Sequence, residues 1–367
     1  MEYVGYFPSQ GVSARQSPII MVELVSSNQK RSHRNCATSV GVYGSSVVTG
    51  GKDSCVLLYD CTLGHIRNSG RYEISAVSAV RTNVLSVDIV GERVICGTSS
   101  GQLHILDTRG NGSNRILAHV GQVSCVKWLE ATRNIVCSTS LDGKAKVWDI
   151  RHTSIALHEL IGHTSGVNSC DSLPNTSSQD EFSMGFTDYL ERLLTVGSDR
   201  TARLWNLNSG THLVFKIPPT LSQNAESCCI ICSKPHYIFA TGLDTEYLLI
   251  FSLKLNKHIG QFSLGGTNVW INCIRLCGPY LLVGTNTGKL LFIRYTFHDN
   301  YSNCTLEIAC SFDYQGSVND IRFEQDKDSL CVYLALGTEV RLGRWGECQL
   351  AMDAKPHNLI NQSVFKI

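Results

Sequence analysis

The chain has 367 residues, 43% apolar and 17% charged, which is ample for a large core and unlike a disordered segment. Its 32 basic and 31 acidic residues leave a formal charge of +1, so a global field for polyanions is excluded and any nucleic-acid binding rests on a local patch. No apolar run reaches the roughly 18 residues of a membrane span, and Met1-Glu2-Tyr3-Val4 opens no secretory pattern.

Sixteen cysteines are scattered through apolar runs, as at Cys96, Cys125, Cys137, Cys273 and Cys331. They read as reduced, core-filling thiols of the cytosol or nucleus. Residues 1–38 form an N-terminal segment with one strand candidate, 19–25, and the basic cluster Lys30-Arg31-Ser32-His33-Arg34. That cluster reads as a solvated loop, or more sharply as a phosphate-contacting or import segment.

From residue 39 to 346 one pattern recurs. Its clearest copy runs from Ser138 to Asp149, S-T-S-L-D-G-K-A-K-V-W-D, where an apolar strand meets a tight turn at Leu141-Asp142-Gly143 and alternates out to Trp148-Asp149. Comparable units end near residues 60, 107, 149, 206, 252, 294 and 346, with separations between 42 and 57 residues. This pattern resembles the WD40 repeat, whose period is about 40–45 residues. The expected fold is all-β, a seven-bladed WD40 β-propeller in which each four-stranded blade packs on its neighbours. The fourth unit carries an acidic insertion, 171–191, expected as an exposed loop. One terminus must supply the last outer strand: 19–25 is preferred, and the tail 347–367, through 363–367, is the alternative.

His119, Ser138, Asp142 and Trp148 in the third unit match His163, Thr195, Asp199 and Trp205 in the fourth. In WD40 repeats such positions form a buried hydrogen-bond chain, because every buried donor requires an acceptor. Recurrence at matching places argues for a brace and against a Ser/His/Asp catalytic site. Gly97-Thr98-Ser99-Ser100-Gly101 has the spelling of a nucleophile elbow, but the text after it reads as a strand, where an elbow requires a helix. Cys228-Cys229-x-x-Cys232 and Cys273-x3-Cys277 lie in strand-like text without the paired knuckles of a zinc site. No catalytic residue, metal or cofactor is expected. Basic residues stand out instead: Lys52 at the first unit's turn, Lys144 and Lys146, Arg200 and Arg203 at equivalent places, and Arg341 and Arg344 at the end of the seventh unit.

Three passages carry a narrower resemblance: G-H-T-S-G-V-N-S-C-D with G-S-D-R-T-A-R-L-W-N between Gly162 and Asn206, V-W-I-N-C-I from Val269 to Ile274, and G-T-E-V-R-L-G-R-W from Gly337 to Trp345. Together they resemble the WD40 proteins of the U3 small nucleolar ribonucleoprotein. The resemblance implies a non-enzymatic scaffold in the nucleolus that binds U3 small nucleolar RNA at its box B/C element. Its partners would be a kink-turn-binding protein and other box C/D proteins, and its task the processing of small-subunit ribosomal RNA. It makes Arg200, Arg203, Arg341 and Arg344 contact candidates. Family members carry a long charged N-terminal extension, whereas only about 38 residues precede the repeats here. The competing expectation is a protein–protein adaptor of another assembly, such as a ubiquitin ligase, trafficking or chromatin complex, since propellers host many functions.

Overall fold

Each copy of the repeat folds as the second and third strands of a four-stranded antiparallel sheet. The structure is a computed structural model and describes residues 20–24, 33–60, 67–74, 82–109, 113–129, 134–172, 192–207, 209–222, 224–232, 238–266, 268–325, 329–337 and 340–346. Among these residues seven such sheets are present. Their innermost strands are Ala37–Tyr43, Val84–Val90, Val123–Trp128, Val167–Ser172, Ala225–Cys232, Ile271–Cys277 and Val318–Gln325, in blades 1 to 7. Each packs beside the innermost strands of the two neighbouring blades, so the seven close a ring around one axis. Blade 7 takes its outer strand from the other end of the chain: Ile20–Leu24 runs antiparallel to Val340–Gly346, with Val22 opposite Arg344. Residues 347–367 lie outside the described residues.

The core lies between blades. Val48 and Val56 of blade 1 bury against Val84, Val87 and Val94 of blade 2. Trp128 and Trp148 meet Ile95 and Leu103 at the next seam. Phe215 of blade 4 packs edge-on against Phe239 of blade 5 at 5.1 Å, and Phe239 stacks on Phe251 at the same distance. The ring closes where Val40, Val47 and Leu57 cover Tyr333 and Ala335 of blade 7. Each large side chain buried this way contributes about 1.5–3 kcal/mol.

Polar side chains on the innermost strands cross every seam. At the second position of these strands, Thr38, Asn168, Asn272 and Asn319 donate to the first backbone carbonyl of the next blade, at Val84, Ala225, Val318 and Ala37 (2.6–3.0 Å). Ser124 does the same to Val167. At the third position, Ser39, Ser86, Ser227 and Asp320 accept from the backbone N–H of Val87, Val126, Ile274 and Val40 (3.0–3.2 Å). At the fifth, Asp88 and Asp171 accept from Trp128 and Ile230 (2.9 and 2.8 Å). Backbone groups that would face the axis without a sheet partner are thereby satisfied.

Asp171 corrects the expected start of the insertion. It is not loop text: it is the fifth of six residues in the innermost strand of blade 4, forms an ion pair with Lys127 of blade 3, and ties blade 4 to blade 5. Burial works against the Lys127 charge, but the Asp171 carboxylate outweighs it and lifts the ammonium above its ordinary range. Residues 173–191 lie outside the described residues.

Blade 6 departs from the others in its outer half. Its third and fourth strands, Lys289–His298 and Asn303–Asp313, are 10 and 11 residues long, and the third continues past Arg294, the last residue paired to the second strand. Tyr295, Phe297, Tyr301 and Leu306 of this hairpin pack against the apolar cluster that blade 5 shares with blade 6. Gly260 permits the approach, because a Cβ there would stand 2.9 Å from the Cys304 carbonyl oxygen.

His104, on the third strand of blade 2, gives the fold a measurable pH dependence. Its Nε2 is buried without a partner, and burial, aided by Arg115, pushes the imidazole down to about 4. Between that value and the ordinary 6.5 the unfolded chain binds a proton that the folded chain refuses, so stability is lost as pH falls through this window. Urea midpoints of the native chain are expected to climb from the lower to the upper end of this window, and more shallowly in His104→Gln.

Candidate nucleic-acid and partner interface

The His, hydroxyl, Asp and Trp of the third and fourth units meet as closed chains. His119 Nδ1 lies 3.0 Å from Asp142, its Nε2 lies 2.9 Å from Ser138 Oγ, and the Trp148 indole N–H donates to the same hydroxyl at 2.9 Å. In blade 4, His163 lies 3.0 Å from Asp199 and 2.8 Å from Thr195 Oγ1, which accepts from Trp205 at 2.8 Å. One tautomer satisfies both chains: Nδ1–H donates to the carboxylate, and Nε2 accepts the hydroxyl proton. Burial, against the pull of Asp142, lowers the His119 pKa, which favours the neutral ring this network requires.

Blade 1 holds a third chain that the sequence did not reveal. His33 Nδ1 lies 2.8 Å from Asp53 and Nε2 lies 2.9 Å from Thr49 Oγ1. His33 is therefore a buried brace and no part of a solvated basic run. Its signal was hidden because Tyr59 stands where the other two units have Trp. Three copies of one geometry, with each hydroxyl bound to its imidazole, are a structural device. Ser99 lies in the turn between Arg93–Thr98 and Gln102–Asp107, so the elbow-like spelling folds as a hairpin. Among the described residues twelve cysteines are free thiols, and burial raises those at Cys96, Cys229, Cys273 and Cys277 to about 12. Among the described residues no His, Cys, Asp or Glu group is arranged to hold a metal ion.

The structure divides the seven basic candidates. Arg203 is buried, donating to Thr201 at 3.3 Å and His212 at 2.9 Å and approaching Asp199 at 3.7 Å. Lys146 donates to the Ala118 carbonyl at 2.9 Å and stands 5.7 Å above the Trp148 ring. Both are engaged within their own blades and are not free charges on the third strands. Lys144 pairs with Glu159 at 2.6 Å on the surface, a contact of small energetic weight. Arg341 and Arg344 lie on the third strand of blade 7, opposite Leu334 and Cys331; their side chains fall outside the described residues.

Lys52 and Arg200 remain. They occupy the turns between second and third strands of blades 1 and 4, which lie at the same face of the ring because the strands alternate in direction. Arg34 is exposed on that face too, its backbone N–H on Asp53. Lys216, which the sequence pattern did not single out, is exposed opposite Thr201, and Ile217 N–H bonds the Arg200 carbonyl at 2.9 Å. Arg34, Lys52, Arg200 and Lys216 have no side-chain partner among the described residues, so their charges are available to an anionic ligand.

The WD40 family profile (WD domain, G-beta repeat) matches residues 112–149 and 155–206. The U3 snoRNP-associated protein-like EMB2271 of Arabidopsis thaliana is 23% identical over 280 residues, 71% of this chain and 52% of that protein. The chain thus spans about half the length of the curated relatives it matches. The solved structure of U3-55K superposes with a TM-score of 0.70 at 17% identity, covering 89% of this chain and 98% of the other. The crystal structure of RRP9 WD40 repeats gives 0.71 at 18%, covering 90% and 99%. The chain thus carries WD40 repeats matched in sequence over residues 112–149 and 155–206, and its seven sheets superpose on solved WD40 repeats as a seven-bladed propeller fold.

Proposed function

We propose that this chain is a non-enzymatic scaffold of a ribonucleoprotein that processes small-subunit ribosomal RNA in the nucleolus. It binds U3-type small nucleolar RNA at the box B/C element, together with a kink-turn-binding protein and other box C/D proteins. The observation that carries this reading is the likeness, along 280 residues, to a relative named for its association with the U3 particle. The face bearing Arg34, Lys52, Arg200 and Lys216 supports it, since unpaired cations there suit phosphate contact.

Arg200 is the residue to test. Its φ is +59°, whereas the corresponding turns of blades 2, 3 and 6 place Gly101, Gly143 and Gly288 at +78°, +84° and +88°. A non-glycine residue in this region costs about 1 kcal/mol; Ser54, in the corresponding turn of blade 1, is the other such residue, at +63°. Arg200→Gly is expected to raise stability by roughly 1 kcal/mol in urea titration. The same variant is expected to weaken the gel shift of box B/C RNA and to flatten its salt dependence by about one charge. Failure of the native chain to shift this RNA at low salt, with and without the kink-turn protein, sinks the proposal and leaves the adaptor reading.

A further inference from the structure

The chain enters the innermost strand of every blade from the face that carries Lys52 and Arg200. The residue just before that strand accepts, through its carbonyl, a backbone N–H from the turn between the second and third strands of its own blade (2.8–3.2 Å). In six blades this residue is small or polar: Cys36, Asn83, Gln122, Gly166, Asn224 and Ser317. In blade 6 it is Trp270, which is 42% exposed, whereas Trp128, Trp148 and Trp205 are buried. The backbone under this indole is fixed. The Trp270 N–H donates to Asn286 Oδ1 at 2.9 Å, and Asn286 Nδ2 donates to the Asn268 carbonyl at 2.9 Å.

Across the seam from Trp270, blade 5 has a carboxylate where the repeat calls for a donor. Glu226 is the second residue of its innermost strand, the position from which Thr38, Ser124, Asn168, Asn272 and Asn319 donate to the next blade. In the closing seam Asn319 reaches both the Ala37 carbonyl and Cys36 Sγ, at 2.6 and 3.2 Å. The counterparts of those two residues are Ile271 and Trp270, and Ile271 lies against Gly242 of blade 5. The same step across the seam therefore places Glu226 at the Trp270 end of blade 6. An ionised carboxyl has no proton to donate, so the Ile271 carbonyl gains no donor from it. Glu226 has neither a hydrogen bond nor an ion pair among the described residues. Burial first, and the Asp244 charge second, raise its pKa, and no cation counters them. Asp244 is itself taken up by Ser222 and Asn224.

We propose that Trp270 and Glu226 bind a basic side chain, an arginine above all, from an extended segment of a partner protein. The guanidinium lays its flat face on the indole and donates to Glu226 and the Ile271 carbonyl, which lack the side-chain donor that other seams have. Arginine is favoured over lysine because its planar fork serves two acceptors while it stacks. Protein is favoured over RNA because Glu226, Asp244 and Glu246 are all carried at this end of blade 5, where they repel phosphate. Lys289, the exposed cation of blade 6 at this face, lies opposite Asp313. The site belongs to the seam of blades 5 and 6, apart from the cations of blades 1 and 4, and does not rest on the ribonucleoprotein reading.

The test is fluorescence anisotropy of the full chain with a labelled peptide that alternates arginine and glycine. Saturable binding is expected, weakened about tenfold or more by Trp270→Leu, at an exposed position. Glu226→Gln is expected to weaken it similarly and at the same time to raise the urea midpoint, because the amide restores a donor to the seam. Glu159→Gln, the same loss of charge on the rim of blade 3, leaves binding unchanged. Should Trp270→Leu lose its circular dichroism signature, Glu226→Gln decides. Absence of saturable binding by the native chain, undiminished binding by either variant, or an equal loss in Glu159→Gln overturns the proposal. A urea midpoint of Glu226→Gln below the native one does so too, since it makes the carboxylate a part of the fold. So does an oligouridine probe that binds where the peptide does not and is lost on Trp270→Leu, which transfers the site to RNA.

Discussion

Replacing Asp320 with alanine is expected to destabilise the ring by about 3–5 kcal/mol, the loss typical of a buried ion pair stripped of one partner. The carboxylate joins blade 7 to both neighbours. It meets Arg275 of blade 6 at 2.7 Å and Arg322 at 3.5 Å, and accepts from Ser39 at 2.8 Å and the Val40 N–H at 3.2 Å in blade 1. Its removal leaves Arg275, whose Nε already has no partner, without its carboxylate and with only the Ile274 carbonyl to accept from it. Burial opposes the Asp320 charge, but Arg322 and Arg275, with Ser39 and Val40, outweigh it and hold the carboxyl below its usual range. Its contribution is therefore complete above the ordinary carboxylate pKa of about 4 and fades as pH falls below it. Urea midpoints at neutral pH check the loss. A variant as stable as the native chain would show that the closing seam does not depend on this charge.

Thr195→Val is expected to cost about 2–4 kcal/mol although the two side chains have nearly the same shape. The hydroxyl serves both His163 Nε2 and the Trp205 indole N–H, and valine leaves both buried without a partner. Thr195→Ser keeps the hydroxyl and is expected to lose only about 1 kcal/mol, the share of a methyl group. Denaturant titration of the pair separates polar satisfaction from packing. Asp199 at the other end of the chain adds an acid limit. Burial opposes its charge, but hydrogen bonds from His163 and Thr201 outweigh that and hold its carboxyl well below the usual range. Its stabilisation is likewise present above about pH 4 and lost as pH falls.

The repeat was legible because alternating strands, turn residues and Trp-Asp endings are local signals. The third strands of blades 1 to 5 end at Asp60, Asp107, Asp149, Asn206 and Ser252, where the pattern placed them. The braces of blades 3 and 4 were legible as spacing, because their four residue types coincide. What was not legible is set by partners in other blades. Ser39 and Val87 lie 48 residues apart, and Arg275 and Asp320 lie 45 apart, so no local period reports them. Aligning the innermost strands would have exposed a recurring polar column through Thr38, Ser124, Asn168, Asn272 and Asn319 in otherwise apolar text. The fate of Lys146 and Arg203 was hidden for another reason. A long cationic side chain reads as solvent-exposed until a carbonyl or an imidazole is found within its reach.

The extended hairpin of blade 6 bears on how the ring comes apart. A propeller with equal seams has no preferred place to part, and each blade is as dispensable as the next. Here the aromatic face of the hairpin lies across blade 5, so two adjacent sheets behave as one double-width block. Blade 7 is the opposite case, since its outer strand, Ile20–Leu24, must be recruited from the far end of the chain against the entropy of closing the whole loop. Opening is therefore expected to begin at the outer strand of blade 7 and to reach the paired block last, an order that native-state hydrogen exchange reads out.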